Sequence, residues 1–471
     1  MRKGLTYSNV LLVPKRTSLN SRSQADIKTR FTRNLKLNIP LVSSNMVSVT
    51  EHKMAIAMAR EGGLGIIHQF GTIEEQVNEV KKVKRRTSYF IENPVCVNKE
   101  LTIKDAVDLM EQLGITCLLI TEENQLTGIF TSRDYLFEDD WNKPISLLMT
   151  TKEKLITAEL GIDLEGAKRI LHKHRIEKLP LMEHGKIAGL ITTKDIKKLY
   201  NWPNACRDTK GRLVVGAALG VKDTIERARE LVKANVDVLV LDVAHAHSDL
   251  VIQRVKELKA EFPVDIMVGN IATAEAAKDL IAAGADGLKI GIGPSPVCST
   301  RIISGSGVPQ LTAIMDVVKV AKEHNVPVTA DGGIKLPGDL AKAIAAGATT
   351  IYSGYLFAGT DESPGMIILR EGRRYKKYFG SASYESSHSR HEKKNGRTKE
   401  RLNVFVEGVS NLVNYKGPVS EVIDKLVRGL RSGISYCGAN NILEMQKKAE
   451  FIEITTASWE ESNTRGNKIS E

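Results

Sequence analysis

One cysteine stands among small and hydroxyl-bearing residues in KIGIGPSPVCSTR, residues 289–301. Gly291 and Gly293 permit a tight turn and a close backbone approach to a ligand. Cys298 follows on the same loop, with Ser299 and Thr300 as hydroxyl neighbours and Arg301 as a nearby cation. A cation favours the thiolate, which is the nucleophilic form. ADGGI, residues 330–334, adds a carboxylate suited to ribose hydroxyls (Asp331), then two glycines whose amides can approach a phosphate. SGYLFAGTDESPG, residues 353–365, supplies another glycine turn, while Asp242 in LDVAHAHS and Asn270 in VGNIATAE supply further polar groups. His245 and His247 stand at i, i+2 without a third ligand in reach, so no metal site is expected there. Cys96, Cys117, Cys206 and Cys437 form no CxxC pair and read as small buried hydrophobes. A disulfide framework and a structural zinc are not expected.

Each of these groups lies at the end of a short apolar run. The runs fall at 40–44, 64–68, 214–219, 236–243, 264–270, 287–291, 326–330 and 350–357. Helix-patterned segments separate most of them, at 51–60, 222–233, 248–261, 273–283 and 337–346. Runs this continuous suit strands buried on both faces, as in a parallel sheet. Eight strands alternating with helices favour a (β/α)8 TIM barrel, an α/β fold, over an open doubly wound sheet. Barrel active sites lie on the loops leaving the carboxyl ends of the strands, and the loops after strands 7 and 8 commonly hold phosphate. The barrel therefore gathers the cysteine loop, Asp242, Asn270, ADGGI and SGYLFAG on one rim.

The rhythm breaks between 91 and 200, where the chain repeats itself. TIKDAVDLMEQLGITCLLITEENQLTGIFTSRD is echoed by DLEGAKRILHKHRIEKLPLMEHGKIAGLITTKD. In each copy a helix precedes a strand, a polar turn, a second strand and a Ser/Thr-rich turn ending in Asp. The expected domains are a barrel from 1–90 and 201–471, and an inserted tandem module at 91–200, its halves at about 91–150 and 151–200. Thr131, Asp134, Thr192 and Asp195 close the two copies with hydroxyls and carboxylates suited to a ribose and its phosphates.

The 471 residues fit two or three domains, and 42% hydrophobic with 26% charged residues is a globular balance. No apolar run approaches a membrane span, and the N-terminus lacks a signal-peptide core, so a cytoplasmic protein is expected. The formal charge is +11, and from 370 to 403 eleven basic side chains face four acidic ones. Such a run attracts polyanions or is a solvated loop. With aromatics at 5%, nucleic acid is the less favoured partner.

The chain resembles the IMP dehydrogenase/GMP reductase family over almost its whole length, with a pair of CBS domains inserted into the barrel. The resemblance is carried by SSNM (43–46), MAIAMAREGG (54–63), RIEKLP (175–180), GNIATAEAAKDLIAAGADGLKIGIGP (269–294) and CSTR (298–301). ADGGI, AGTDESPG, GRRYKKYFG (372–380), YKGP (415–418) and RSGISYCGA (431–439) continue it. It implies that Cys298 adds to C2 of a purine nucleotide, with Thr300 and Glu362 as catalytic partners. It places Ser44, Met46, Asn270, Asp331, Gly333, Gly354, Tyr378, Gly380 and Glu407 on the substrate. It also implies NADPH or NAD(H) beside Asp242, Gly291 and Gly293, and a monovalent cation (K+) on the carbonyls of Gly291, Gly293 and Cys298. An adenine or guanine nucleotide at the inserted module and a homotetramer or octamer complete what it implies.

Departures from the family pattern bear on the reaction. Pro296 stands where the family has a phosphate-binding Ser, Tyr355 where it has a second, and Val47 where it has Asp. Asn45 is reductase-like. The dehydrogenase needs an Arg-Tyr pair on a flap to activate water, and residues 381–407 contain none; Arg390-His391 comes nearest. The leading expectation is GMP-reductase-type deamination. The alternatives are an IMP dehydrogenase with an atypical flap, a paralogue acting on a modified purine, and a non-catalytic nucleotide-sensing regulator.

Overall fold

Eight short parallel strands close into a barrel in the computed structural model, in the order Gly216–Leu219, Val238–Asp242, Asp265–Ile271, Gly287–Ile290, Val328–Asp331, Thr350–Ser353, Leu41–Ser43 and Leu64–Ile67. The structure describes residues 1–85, 90–91, 94–123, 125–380 and 408–462. Nearly every strand residue is buried, as expected of a parallel sheet covered on both faces. Closure runs through Ser353 paired with Ser43 and Ser43 with Gly65. Gly65 cannot carry a side chain: a Cβ there would stand 2.4 Å from the Ala55 Cα, because the helix His52–Arg60 lies directly on its strand.

The outer helices form where the apolar spacing predicts them. Thr224–Lys233, Asp249–Glu261, Ala274–Ala282 and Pro337–Ala345 each turn an apolar face to the barrel. After the eighth strand, Ile368–Arg370, Arg373–Phe379 and Ser410–Asn414 make a three-stranded antiparallel sheet. Lys376 in its central strand is buried, and its ammonium donates to the Thr360 and Ser363 carbonyls at 2.8 and 2.7 Å. That bond locks the sheet to the loop following strand 8 and delivers Tyr378 to the barrel mouth. Among the described residues, no helix is long and apolar enough to cross a membrane.

The chain divides into two compact units, one comprising 1–86, 204–208 and 213–471, the other 87–203 and 209–212. The second unit is built from the repeat. Its copies run Ile103–Leu113, Cys117–Glu122, Gln125–Thr131 and Leu164–His174, Lys178–Glu183, Lys186–Thr192. Both hairpins shift register at the same place, after Ile120 opposite Gly128 and after Leu181 opposite Gly189. Both helices are N-capped alike, by Thr102 and Asp163. Cys117, Leu119, Ile129 and Leu190 form an apolar cluster that joins the copies. The copies differ at their ends. In the first, Asp134 closes a turn; in the second, the helix Thr193–Tyr200 begins at once and takes in residue 195.

Candidate active site

Cys298 is half-buried on the loop after the sixth barrel strand, at the wall of a cavity of about 310 Å³. Its sulfur lies 3.1 Å from the Thr300 hydroxyl, which opens the one-turn helix Thr300–Ser304. Arg301 does not touch the thiol. Its guanidinium donates to the carbonyls of Ile292 at 3.0 Å and Val308 at 2.6 Å, bracing the loop from within. Burial lowers its pKa, and the Cys298 charge partly offsets that, so Arg301 acts on the thiol through the field alone. Of the other cysteines, Cys117, Cys206 and Cys437 are buried as expected, but Cys96 is exposed.

A buried ammonium organises the cavity floor. Lys289 Nζ lies 2.6 Å from Asp242 Oδ1 and 2.8 Å from Asp331 Oδ2, donates to Asn270 Oδ1, and sits 4.9 Å from the centre of the Tyr352 ring. Burial pulls its pKa down, yet the two carboxylates more than reverse this and hold the ammonium above its ordinary value. The Asn45 amide donates to Asp242 Oδ2 at 2.7 Å and accepts the Tyr352 hydroxyl at 2.7 Å. The Asn270 amide donates to Asp331 Oδ2 at 2.9 Å and to the Gly291 carbonyl at 2.6 Å. Gln310 ties the Ile290 and Asp331 carbonyls across two strand ends, at 2.8 and 3.0 Å. One oxygen of Asp331, Oδ1, is left without a protein partner among the described residues, free to accept from a ligand hydroxyl.

Part of the cavity lining suits an anion. Gly333, Ile334, Gly354 and Tyr355 line the cavity, and their amide N–H groups have no protein acceptor among the described residues. Pro296 and Tyr355 do replace two hydroxyl donors expected there, but Ser295 brings a hydroxyl to the same wall one residue earlier. It bonds the buried Tyr378 phenol, whose pKa burial pushes up.

Ser44, Met46, Asp242, Asn270, Gly291, Gly293, Thr300, Asp331, Gly333, Gly354, Tyr378 and Gly380 all line the cavity with Cys298. Glu362 does not. Its Oε2 accepts the Val419 N–H at 2.9 Å, at the start of the helix Val419–Tyr436, and its neighbours across a separate groove are His52, Lys53 and Arg60. Glu407, Arg390 and His391 lie outside the described residues. Gly380 and Gly408, on either side of those residues, both line the cavity, and Gly408 bridges Cys298. Of the three carbonyls expected to hold a monovalent cation, that of Gly291 accepts the Asn270 amide. In the second unit, Asp134 Oδ2 is taken by the N–H and hydroxyl of its own Thr131, at 2.6 and 3.0 Å. Thr192 is buried.

The family model for the IMP dehydrogenase/GMP reductase domain matches residues 4–465. The chain belongs to that family. It is 49% identical to an inosine-5'-monophosphate dehydrogenase of Nitrosopumilus maritimus, with 98% of each chain covered. It is also 45% identical to a GMP reductase of Leishmania donovani, over 98% of this chain and 96% of that one. A solved GMP reductase variant of Trypanosoma brucei, in complex with guanosine 5'-monophosphate, is 43% identical and has a TM-score of 0.87 over 99% of this chain and 98% of that one. As a member, the protein is an NAD(P)-dependent oxidoreductase of purine nucleotides.

Two residues of this family member's site went unassigned in the sequence. Lys289 was readable in principle: a lone ammonium inside an apolar strand demands counter-charges. Ser295 was not, since its reach depends on how Pro296 turns the loop.

Proposed function

We propose that this enzyme works in the reductive direction, converting GMP to IMP and ammonia with a reduced nicotinamide. The observation that carries this is the state of the cavity's carboxylates. Among the described residues lining it, only Asp242 and Asp331 are carboxylates, and both are bound to the Lys289 ammonium. Neither suits the role of a base for attacking water, which oxidation of IMP requires. Residues 381–407 also lack the Arg-Tyr pair.

In this reading the Cys298 thiolate adds to C2 of the purine, and the 2-amino group leaves as ammonia after protonation. Hydride arrival at C2 then allows the C–S bond to break and regenerates the thiolate. The Thr300 hydroxyl stands close enough to pass the proton; the acid role expected of Glu362 has no support in its position. Asp331 Oδ1 takes the ribose, and the four free amides take the 5'-phosphate. The nicotinamide, when bound, supplies the hydride. Asp242, steadied by Asn45 and Lys289, is the residue that would hold it. No step is assigned to a monovalent cation.

The second unit is read as a CBS pair that takes an adenine or guanine nucleotide. Its support is the matched hairpins and caps of the two copies. Absorbance at the nicotinamide band, with GMP plus NADPH or NADH and with IMP plus NAD, tests the direction. Turnover with GMP supports the reductase. Turnover with IMP alone makes the enzyme a dehydrogenase.

A further inference from the structure

Lys416 is a half-buried cation without a carboxylate partner among the described residues. Its Nζ donates to the carbonyls of Tyr355 at 2.6 Å and Leu356 at 3.1 Å, and stands 4.9 Å from the centre of the Tyr355 ring. The backbone fixes it there: Lys416 N–H donates to the Gly359 carbonyl and Asp361 N–H to the Gly417 carbonyl, both at 2.9 Å. The charged and titratable groups around it are engaged elsewhere. Asp361 accepts the Tyr415 hydroxyl, Glu362 accepts the Val419 N–H, and Lys376 bonds the Thr360 and Ser363 carbonyls. Burial alone moves Lys416, pulling its pKa down to about 8.

The two carbonyls and the ring face satisfy the donors but leave the net charge unmatched, and a desolvated charge gains from an anion nearby. The same turn also borders the cavity. Gly354 and Tyr355 line it together with Gly333 and Ile334, and none of the four N–H groups has a protein acceptor among the described residues. The Gly354 carbonyl, which shares a peptide unit with the Tyr355 N–H, accepts from both Phe357 and Ala358, at 3.2 and 2.8 Å. That polarises the unit and sharpens the donor.

We propose that Lys416 is a positioning residue for the nucleotide's 5'-phosphate, its ammonium supplying positive potential through the 354–356 turn in place of the hydroxyls lost at Pro296 and Tyr355. The inference rests on reading the cavity as a nucleotide site. Its signature is specific to the phosphate. Below pH about 8 the ammonium is charged and the dianion binds well. As pH rises through that value the proton leaves and the nucleotide loosens. By linkage, binding a dianion near that pH takes up a proton.

Calorimetry of the full chain with guanosine 5'-monophosphate and with guanosine, at about pH 7 and about pH 9 and in buffers of different ionisation enthalpy, tests this. Expected for the unsubstituted protein are a roughly tenfold loss of nucleotide affinity across that interval, proton uptake midway, and neither effect for the nucleoside. Lys416→Met should weaken the nucleotide about tenfold at the lower pH, leave the nucleoside within about twofold, and abolish the proton uptake. Nucleotide affinity that is flat with pH in the unsubstituted protein overturns the inference, whether or not the Met variant folds. So does a Met variant that loses nucleoside and nucleotide equally. Either result leaves the nucleotide site standing. If the unsubstituted protein binds no guanosine 5'-monophosphate at all, the functional reading and the inference fall together.

Discussion

The Thr300 hydroxyl lies 3.1 Å from the Cys298 sulfur, so the nucleophile and a proton-passing group occupy neighbouring positions of one short turn. In the proposed mechanism the covalent step belongs to the thiolate alone, so Cys298→Ala should abolish turnover while nucleotide affinity stays within a few-fold. Thr300→Ala should lower kcat by about 10²-fold or more with a small change in KM, as for loss of a proton-transfer group. Steady-state kinetics with calorimetric binding checks both. Retained turnover in the Cys298→Ala variant would remove the covalent mechanism.

Lys289 pairs with two carboxylates, which the proposed mechanism turns to different ligands, Asp331 to the ribose and Asp242 to the nicotinamide. Lys289→Met leaves both half-buried with only the Asn45 and Asn270 amides as donors, which should destabilise the barrel by up to about 3 kcal/mol. Where the variant is still folded, KM for nucleotide and nicotinamide should rise together, since one ammonium orients both acceptors. Denaturant unfolding and two-substrate kinetics measure these. A rise confined to one substrate would show that the two subsites are positioned independently.

The repeat offers an internal control on helix ends. Gly114 and Arg175 close equivalent helices in the same left-handed conformation, with φ of 65° and 52°. That conformation suits glycine and strains a residue bearing a Cβ. Arg175→Gly should therefore stabilise the second unit by roughly 0.5–1 kcal/mol, and Gly114→Arg should destabilise it by a similar amount. Thermal unfolding of the full chain, followed with a probe in that unit, reads the difference. A destabilising Arg175→Gly would mean that the Arg side chain contributes more than its backbone strain costs.

What was legible in the sequence is what is local in the chain. The barrel strands appear as continuous apolar runs because both their faces are buried, and the cysteine loop, ADGGI and SGYLF are contiguous. The second unit's duplication survives in its capping residues. The contacts that finish the site are not local. Lys289 meets Asp242, Asn270 and Asp331 from three other strands, and nothing in its own spacing names them. Thr131 and Asp134 read as ribose groups in the sequence; three residues of separation on a tight turn also let them bond each other through Asp134 Oδ2. Glu362 shows the same effect in reverse. Its neighbourhood in sequence is the active-site loop, while its neighbourhood in space is a helix start.

Glu362 yields the sharpest separation of those two readings. Its carboxylate accepts the Val419 N–H at the first turn of the 18-residue helix Val419–Tyr436, where an anion meets both an orphan donor and the positive end of the helix dipole. A residue with that job affects stability and not chemistry. Glu362→Gln keeps an acceptor oxygen but loses the charge, so it should cost about 0.3–1 kcal/mol. Glu362→Ala loses both and should cost about 0.5–2 kcal/mol. In both variants kcat with GMP should stay within about threefold, far from the ~10²–10⁴-fold that removal of a general acid brings. Measuring unfolding and kcat on the same preparations separates the outcomes. A kcat that collapses by the larger factor in a stably folded Gln variant would put Glu362 back beside the substrate, and the loop after strand 8 would then have to swing it from the helix start into the cavity during turnover.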